Sequence, residues 1–122
     1  MLELARHGGA TLTAQALAER RDIPEKFLVQ ILLQLKRAGL AQSVRGPQGG
    51  YRLAAAPDQL SLLQIVEAID GPLEDQLPGK EGLSPEFTPV WRRVLEAMRA
   101  ELGSATLQKI LDESDADKMY YI

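Results

Sequence analysis

The sequence predicts a mainly α (α+β) fold, in which a helix-turn-helix with a β-hairpin wing precedes a long helix. Two amphipathic helical segments follow each other closely in residues 13–38, and a short hairpin pattern comes directly after them. The third observation is a stripe of apolar residues at helical spacing in residues 88–102. With 122 residues, of which 45% are hydrophobic, the chain can bury one core of this kind.

The helices of the first half are delimited by capping residues and helix breakers. Residues 1–7 have the pattern of a helix end that Gly8 stops, and Thr13 is a suitable N-cap for the next helix. Pro24 favours the first turn of a third helix, which Gly39 ends. We expect this third helix to bury one stripe of apolar residues: Phe27, Leu28, Ile31, Leu32 and Leu35.

The next segments change to a strand pattern and then return to a helix. Residues 41–45 and 51–54 are strand-like, and the Gly/Pro-rich residues 46–50 between them are typical of a hairpin loop. Ser61 and Gln64 have the spacing of a capping box, which predicts that a fourth helix begins there.

The second half contains a loop and the longest helical pattern. Residues 73–88 lack periodicity and are rich in Pro, Gly and acidic residues, which predicts a mobile loop. Pro89 opens the long helix, Gly103 stops it, and Ser104 caps a short final helix. The apolar stripe of the long helix consists of Val90, Trp91, Val94, Leu95, Met98 and Leu102.

Charge is distributed unevenly along the chain. Residues 1–53 carry a formal charge of +4 and residues 54–122 carry −7, although the net charge is only −3. A basic front half suits a phosphate-rich partner, whereas a chance distribution of solvated charges is the plainer alternative.

Composition excludes several classes of chemistry. The chain has no cysteine, which excludes disulfides, thiolate-bound zinc, cysteine-ligated iron–sulfur clusters and a cysteine nucleophile. There is no apolar run of roughly 18 residues and no signal-peptide pattern, so we expect no membrane partner. His7 is expected at a solvated helix end, and Glu3, Glu67 and the acidic residues of the C-terminal tail are expected to be isolated solvated carboxylates. We therefore predict no catalytic residues, no metal site and no cofactor.

The order of elements and the basic front half together indicate DNA binding. The third helix can lie in the major groove, where Lys26 can contact phosphate or guanine and Gln30 can pair with adenine. Lys36 and Arg37 either contact phosphate or interact only with the helix dipole. The hairpin tip can approach the minor groove. The predicted DNA-binding residues are Thr13, Glu25, Lys26, Gln30, Lys36, Arg37, Arg45, Gly46, Pro47, Gln48 and Gly49.

Three segments of the chain resemble one family. Residues 23–32, 35–40 and, most specifically, 43–53 are similar to the BadM/Rrf-two winged-helix transcription regulators. The resemblance implies a homodimeric repressor that binds double-stranded DNA at a pseudo-palindromic operator. It also implies that the helix around Trp91 is the dimerisation helix, with the stripe given above as the dimerisation residues. We accordingly divide the chain into a winged helix-turn-helix region (1–56), linker and dimerisation helices (57–112) and an acidic tail (113–122).

The sequence departs from the family pattern at several positions. Family members usually have about a dozen residues before the position of Met1, so the start of the first helix is expected to be missing. Many members have a glutamate where this chain has Val29, which affects base preference. The well-known iron–sulfur members carry three cysteines in the loop that corresponds to residues 74–86, and this chain has none. The resemblance is therefore strongest to the cysteine-less, CymR-like branch, which implies control of cysteine and sulfur metabolism genes.

The C-terminal tail has three possible roles. Its last residues, Tyr120, Tyr121 and Ile122, resemble the tails of CymR-type proteins, which implies binding to cysteine synthase (O-acetylserine thiol-lyase). In such an interaction backbone N–H groups capture the free carboxylate while the isoleucine side chain fills an apolar pocket. Alternatively, the tail folds back onto the dimer helices or is simply disordered.

Our interpretation is a cytoplasmic, nucleoid-associated transcriptional repressor that is not an enzyme. Two alternatives stay open: a winged-helix scaffold that binds protein instead of DNA, and a repressor that senses a different small molecule.

Overall fold

A computed structural model of the chain describes residues 1–76, 82 and 84–120, with residues 118–120 described as backbone only. The fold is mainly helical with one two-stranded antiparallel sheet, which confirms the predicted fold class. In chain order the elements are α1 (Leu2–Arg6), α2 (Ala14–Arg21), α3 (Glu25–Arg37), β1 (Ala41–Val44), β2 (Gly50–Leu53), α4 (Leu62–Asp70), α5 (Leu73–Gln76), α6 (Thr88–Ser104) and α7 (Leu107–Tyr120). Short 3-10 turns at Pro57–Gln59 and Pro85–Phe87 precede α4 and α6. No helix in the described part of the chain is long and apolar enough to cross a bilayer.

The helix-turn-helix is formed by α2 and α3. The hydroxyl oxygen of Thr13 accepts a hydrogen bond from the backbone N–H of Ala16 at 3.1 Å, which confirms the predicted N-cap of α2. Asp22 turns the chain in the left-handed conformation, at φ 52°, and Pro24 occupies the N-cap position of α3. The two helices therefore meet at a tight turn, and α3 projects from it.

The predicted buried stripe of α3 is wrong at one residue, since Phe27 is 61% exposed. Leu28, Leu32 and Leu35 are buried and define the inner face of the helix. A residue of an α-helix is rotated by about 100° from the one before it, so Phe27 lies beyond the edge of this face.

The core consists of two adjoining groups of buried side chains. One group joins α1, α2 and the first part of α3 through Leu4, Leu17 and Leu28. The second joins the end of α3 to the start of the sheet and to α7 through Leu35, Leu40 and Leu107. Since α3 contributes to both groups, its inner face is anchored along most of the length of the helix.

The wing is the antiparallel pair β1–β2, which pairs Ala41 with Leu53 and Val44 with Gly50. A further bridge attaches it to the loop before α2: Leu12 and Tyr51 exchange backbone hydrogen bonds of 2.9 and 2.7 Å. The wing is thereby anchored to the helix-turn-helix.

The capping box at the start of α4 is present as predicted. The Gln64 backbone N–H donates to the Ser61 hydroxyl at 3.2 Å, and the Gln64 side chain accepts from the Ser61 backbone N–H at 2.8 Å. The mobile loop expected over residues 73–88 is replaced in part by α5, because Leu73 is buried and anchors this segment. Residues 77–81 and 83 of that expected loop lie outside the described residues.

The ends of α6 and α7 differ from the prediction. Helix α6 continues through Gly103 to Ser104, whose hydroxyl donates to the Glu101 carbonyl at 3.0 Å instead of capping a helix. Thr106 caps α7, since its hydroxyl accepts from the backbone N–H of Lys109 at 3.1 Å. Helix α7 is long and not short, spanning 14 residues to Tyr120 and including most of the acidic segment.

Candidate nucleic-acid interface

Polar side chains cover the outer face of α3. Lys26, Gln30, Gln34 and Arg37 are all exposed, and their spacing places them on one side of the helix. Glu25 begins the helix and is exposed, and Lys36 is exposed near its end. The buried leucines of the opposite face hold α3 against α2 and α4, so this polar stripe is presented by a rigid element.

The wing tip has a backbone that requires glycine. Gly46 has φ +112°, and the Gly49 N–H donates to the Gly46 carbonyl at 2.9 Å to close the turn. A Cβ atom on Gly49 would lie 2.8 Å from the same carbonyl oxygen, so any other residue would push the turn open. Arg45, Pro47 and Gln48 are exposed around this compact tip.

An open recess of about 880 Å³ lies between the wing tip and the loop before α2. Thr11 crosses it, since its hydroxyl donates to the Gln48 carbonyl at 2.7 Å. Arg52 also borders the recess, and its Nε donates to the Gln42 side-chain oxygen at 3.2 Å. Residues of this loop and the wing therefore form one continuous polar surface.

Sequence reasoning did not single out Thr11 and Arg52 as members of this surface. Arg52 could have been found from strand alternation, because it lies between the half-buried Tyr51 and Leu53 and must face outward. Thr11 gave no such signal, since its position depends on the Leu12–Tyr51 bridge.

The positive charge of the front half is concentrated in α3 and the wing. Residues 25–53 contain five basic residues and one acidic residue, a formal charge of +4, whereas the charges of residues 1–24 cancel. The basic side chains are those of Lys26, Lys36, Arg37, Arg45 and Arg52, and all five are exposed. Such a cluster attracts phosphate groups and makes binding dependent on salt concentration.

Of the predicted DNA-binding residues, those of α3 and the wing are exposed, except for Gly49, which is half-buried in the turn. Thr13 is exposed as well, but its hydroxyl oxygen already accepts the N-cap hydrogen bond of α2. It can still approach a phosphate together with the N-terminus of α2, where backbone N–H groups attract anions.

The predicted dimerisation residues fall into two adjacent stripes of α6. Trp91, Leu95, Met98 and Leu102 are half-buried, and α6 packs on α4. Val90 and Val94 are 48% and 41% exposed, and Phe87 beside them is 58% exposed. One half of a broad apolar face is therefore left accessible to solvent.

Three carboxylates expected to be isolated are ion-paired instead: Glu3, Glu67 and Asp115, the last of which pairs with Arg6 at 3.3 Å. Glu3 pairs with Arg21 at 2.9 Å and with Arg20 at 3.7 Å. Glu67 pairs with Arg99 at 3.6 Å and accepts a hydrogen bond from the Leu73 backbone N–H at 3.0 Å. Arg99 also pairs with Glu74, so it connects α4, α5 and α6. The expectation failed because all of these partners are distant in sequence.

Comparison with known proteins identifies the family. A model of the Rrf2 family, described as an iron-dependent transcriptional regulator, matches residues 1–113. The HTH-type transcriptional regulator CymR of Bacillus subtilis is 33% identical, with coverage of 100% of this chain and 91% of that protein.

Two solved structures share the fold. The structure of B. subtilis CymR, described as the global cysteine regulator, has a TM-score of 0.79 at 30% identity and covers 92% of this chain and 87% of its own. The structure of T. potens IscR has a TM-score of 0.75 at 32% identity, and the match covers 93% of this chain and 78% of that one.

The residues of this chain do not fit an iron centre of the thiolate type. The sequence contains no cysteine, so no iron–sulfur cluster can be ligated by thiolates. Across the described residues there is also no group of three or more His, Asp or Glu side chains that could hold a metal ion. His7, the only histidine of the chain, lies at the C-terminus of α1. The donor groups of this chain therefore do not fit a thiolate-ligated iron centre.

The matched family, the homologues and the structural neighbours are all transcriptional regulators and not enzymes. Three observations agree on a DNA-binding regulator: the winged-helix architecture, the exposed basic surface of α3 and the wing, and the family match over residues 1–113. The chain belongs to the Rrf2 family of DNA-binding, winged-helix transcriptional regulators.

Proposed function

We propose that the protein is a homodimeric repressor that binds a pseudo-palindromic operator through α3 and the wing. The observation that carries this proposal is the placement of the charge. The five exposed basic side chains of residues 25–53, with a formal charge of +4, lie on the two elements that can enter the grooves. The rest of the chain carries −7, which favours one orientation on DNA.

Each part of the surface has a separate role in this proposal. Lys36, Arg37 and Arg52 contact phosphates and set the register on the duplex. Lys26 and Gln30 face base edges in the major groove, where a lysine selects guanine and a glutamine amide selects adenine. Arg45 at the compact wing tip enters the adjacent minor groove, whose negative potential is strongest where the groove is narrow.

The exposed apolar stripe of α6 supports dimerisation. Phe87, Val90 and Val94 lie next to the half-buried stripe that includes Trp91 and Leu95, so a second copy could extend the existing core. A two-fold symmetric dimer of helix-turn-helix proteins binds two half-sites about one helical turn apart, which matches a pseudo-palindromic site.

The proposed target genes are those of cysteine and sulfur metabolism. The resemblance to B. subtilis CymR supports this part of the proposal, because that protein is described as the global cysteine regulator. In this proposal cysteine synthase modulates the repressor by binding its C-terminal Ile122. Tyr120 is the last residue of α7, and Tyr121 and Ile122 lie outside the described residues. The acidic end of α7 would present them to the enzyme. Such a regulator acts in the cytoplasm, at the nucleoid.

Selection of genomic fragments, followed by an electrophoretic shift with the selected duplex, tests the proposal. We expect a specific complex whose affinity decreases steeply with salt, because several phosphates are neutralised. The protein should bind as a dimer that protects two half-sites about one helical turn apart. Absence of any duplex binding at low salt would contradict the proposal and favour a protein-binding scaffold instead.

A further inference from the structure

A second basic cluster lies on a different side of the molecule, around a recess of about 300 Å³ between α1, α2 and α7. Arg6 of α1 borders it, together with Arg20 and Arg21 from the last turn of α2. The carboxylate of Glu3 also lines the recess, and apolar side chains and the hydroxyl-bearing Ser114 complete the lining: Leu2, Ile110, Leu111 and Ser114.

All three guanidinium groups are ion-paired, but those of Arg6 and Arg20 make only long contacts. Arg20 lies 3.7 Å from Glu3, and both terminal nitrogens of Arg6 lie 3.3 Å from a single oxygen of Asp115. Charge-assisted N–H···O hydrogen bonds are normally about 2.7–2.9 Å long, and only the Arg21–Glu3 pair reaches this range. Each guanidinium also has five N–H donors, so donor capacity remains after these contacts.

The local charge and accessibility favour an anionic ligand. The formal charge of the three arginines together with their two carboxylate partners, Glu3 and Asp115, is +1. The arginine side chains are between 35% and 48% exposed, whereas that of Glu3 is only 18% exposed. An incoming anion can therefore reach the arginines while Glu3 continues to orient two of them.

We propose that this recess binds a small dianionic oxyanion of the class of phosphate and phosphate monoesters. The planar fork of arginine matches phosphate geometry through two parallel N–H···O bonds, and three arginines from two helices can surround one tetrahedral anion. The volume of about 300 Å³ suits a free anion or a small phosphorylated metabolite.

The position of the recess distinguishes this ligand from the phosphates of DNA. The recess adjoins an apolar cavity, and four residues line both: Leu2, Glu3, Arg21 and Ile110. The other walls of this cavity include the buried leucines of the inner face of α3, Leu28, Leu32 and Leu35. The groove-facing side chains of α3 point away from that face. A duplex on α3 and the wing would therefore leave the recess open to a separate ligand.

Anion binding has a consequence for α7. The anion and the Asp115 carboxylate compete for Arg6, so binding weakens the ion pair that joins α1 to α7. The regulatory meaning of this step rests on the proposed function, since α7 leads to the tail, but binding itself does not.

Isothermal titration of the full chain with inorganic phosphate, without DNA and at constant ionic strength, tests the site. We expect saturable binding of one phosphate per chain, and weaker binding of the dicarboxylate succinate. The double variant R20Q/R21Q should weaken phosphate binding by at least about tenfold, because both guanidinium forks are lost. The matched control R92Q/R93Q removes an adjacent exposed arginine pair from α6 and should leave the affinity unchanged.

A second variant, D115N, is decisive even where the double variant folds poorly. Removing the competing carboxylate should tighten phosphate binding by about two- to fivefold, the range expected for one exposed ion pair. Ion pairs with a purely structural role would give no such gain. Absence of saturable phosphate binding, tighter binding of succinate, equal affinity in R20Q/R21Q or no gain in D115N would each overturn the proposal. The electrophoretic shift is a separate measurement, so failure of DNA binding would not be mistaken for failure of this site.

Discussion

Individual side chains of the wing differ in how firmly the structure holds them. Arg52 is oriented by its hydrogen bond to Gln42, and the Gln48 backbone is tied to Thr11. The glycines of the wing tip keep this turn compact, and Arg45 lies at its start with an exposed side chain. Arg45 is therefore the side chain of the wing best placed to enter a groove.

Replacing this arginine tests the minor-groove contact directly. We expect Arg45→Ala to reduce operator affinity by about 1–3 kcal/mol, because a charged contact inside a narrow groove is lost. Arg92→Ala, which removes an exposed arginine from α6, is the matched control and should leave operator affinity unchanged. Equal affinities of Arg45→Ala and the unmodified protein in a fluorescence anisotropy titration would contradict the role of Arg45.

Two glycines illustrate opposite effects of the same substitution. Gly50 has φ +147°, and a Cβ there would lie 2.6 Å from the Leu12 carbonyl oxygen, at the bridge that anchors the wing. Gly103 lies inside α6, where a Cβ would meet only the Leu63 side chain at 3.7 Å.

We therefore expect Gly50→Ala to lower the free energy of unfolding by about 1–3 kcal/mol, through backbone strain and the clash. Gly103→Ala should raise it by about 0.5–1 kcal/mol, since alanine is the better helix former. Urea denaturation of both variants measures the sign of each change in the free energy of unfolding. Stabilisation by Gly50→Ala would show that the bridge between the wing and Leu12 is not as described.

At the scale of elements, α6 combines two functions on one apolar face. Its half-buried stripe packs towards α4, and Arg99 ties it to α4 and α5 through Glu67 and Glu74. The exposed stripe beside it, Phe87, Val90 and Val94, is free of these constraints and forms the proposed dimer interface.

A charge placed in the exposed stripe should prevent dimerisation. We expect Val94→Asp to produce a monomer, because an unpaired carboxylate would have to be buried in the interface. Ala100→Asp, on a side of α6 away from both stripes, is the control and should remain dimeric. Sedimentation velocity distinguishes the two states, and a dimeric Val94→Asp variant would place the interface elsewhere.

At the scale of the whole molecule, α7 connects the core with the C-terminal tail. Its first turns are buried through Leu107 and Leu111, its middle is attached to α1 by the Arg6–Asp115 pair, and its end leads into the tail. Helix α7 packs against α1, which shares a core group with α2 and α3. A partner that binds the tail would therefore act on a helix that is connected to the helix-turn-helix through α1.

Removing Ile122 separates partner binding from DNA binding. We expect its deletion to abolish binding to cysteine synthase, since both the side chain and the position of the terminal carboxylate are lost. Operator affinity should be unchanged, because the basic surface of α3 and the wing is untouched. Equal enzyme affinities with and without Ile122, measured by calorimetry, would rule out the proposed interaction.

Features that depend on neighbouring residues and on composition could be predicted from the amino-acid sequence. The N-cap at Thr13, the capping box of Ser61 and Gln64, the hairpin and the basic charge of residues 25–53 were all predictable, because capping and periodicity are short-range effects. The absence of cysteine likewise excluded a thiolate-bound cluster for the whole chain.

Contacts between residues from distant segments became known only from the folded structure. Arg6 and Asp115 are 109 positions apart, and the Leu12–Tyr51 bridge and the ion pairs of Arg99 also join separate elements. The exposure of Phe27 follows from its angular position on α3, beside the buried face. The passage of α6 through Gly103 and the short α5 were missed because they depend on contacts between distant segments. In each case packing between elements outweighs the local preference, and a local sequence pattern does not contain that energy.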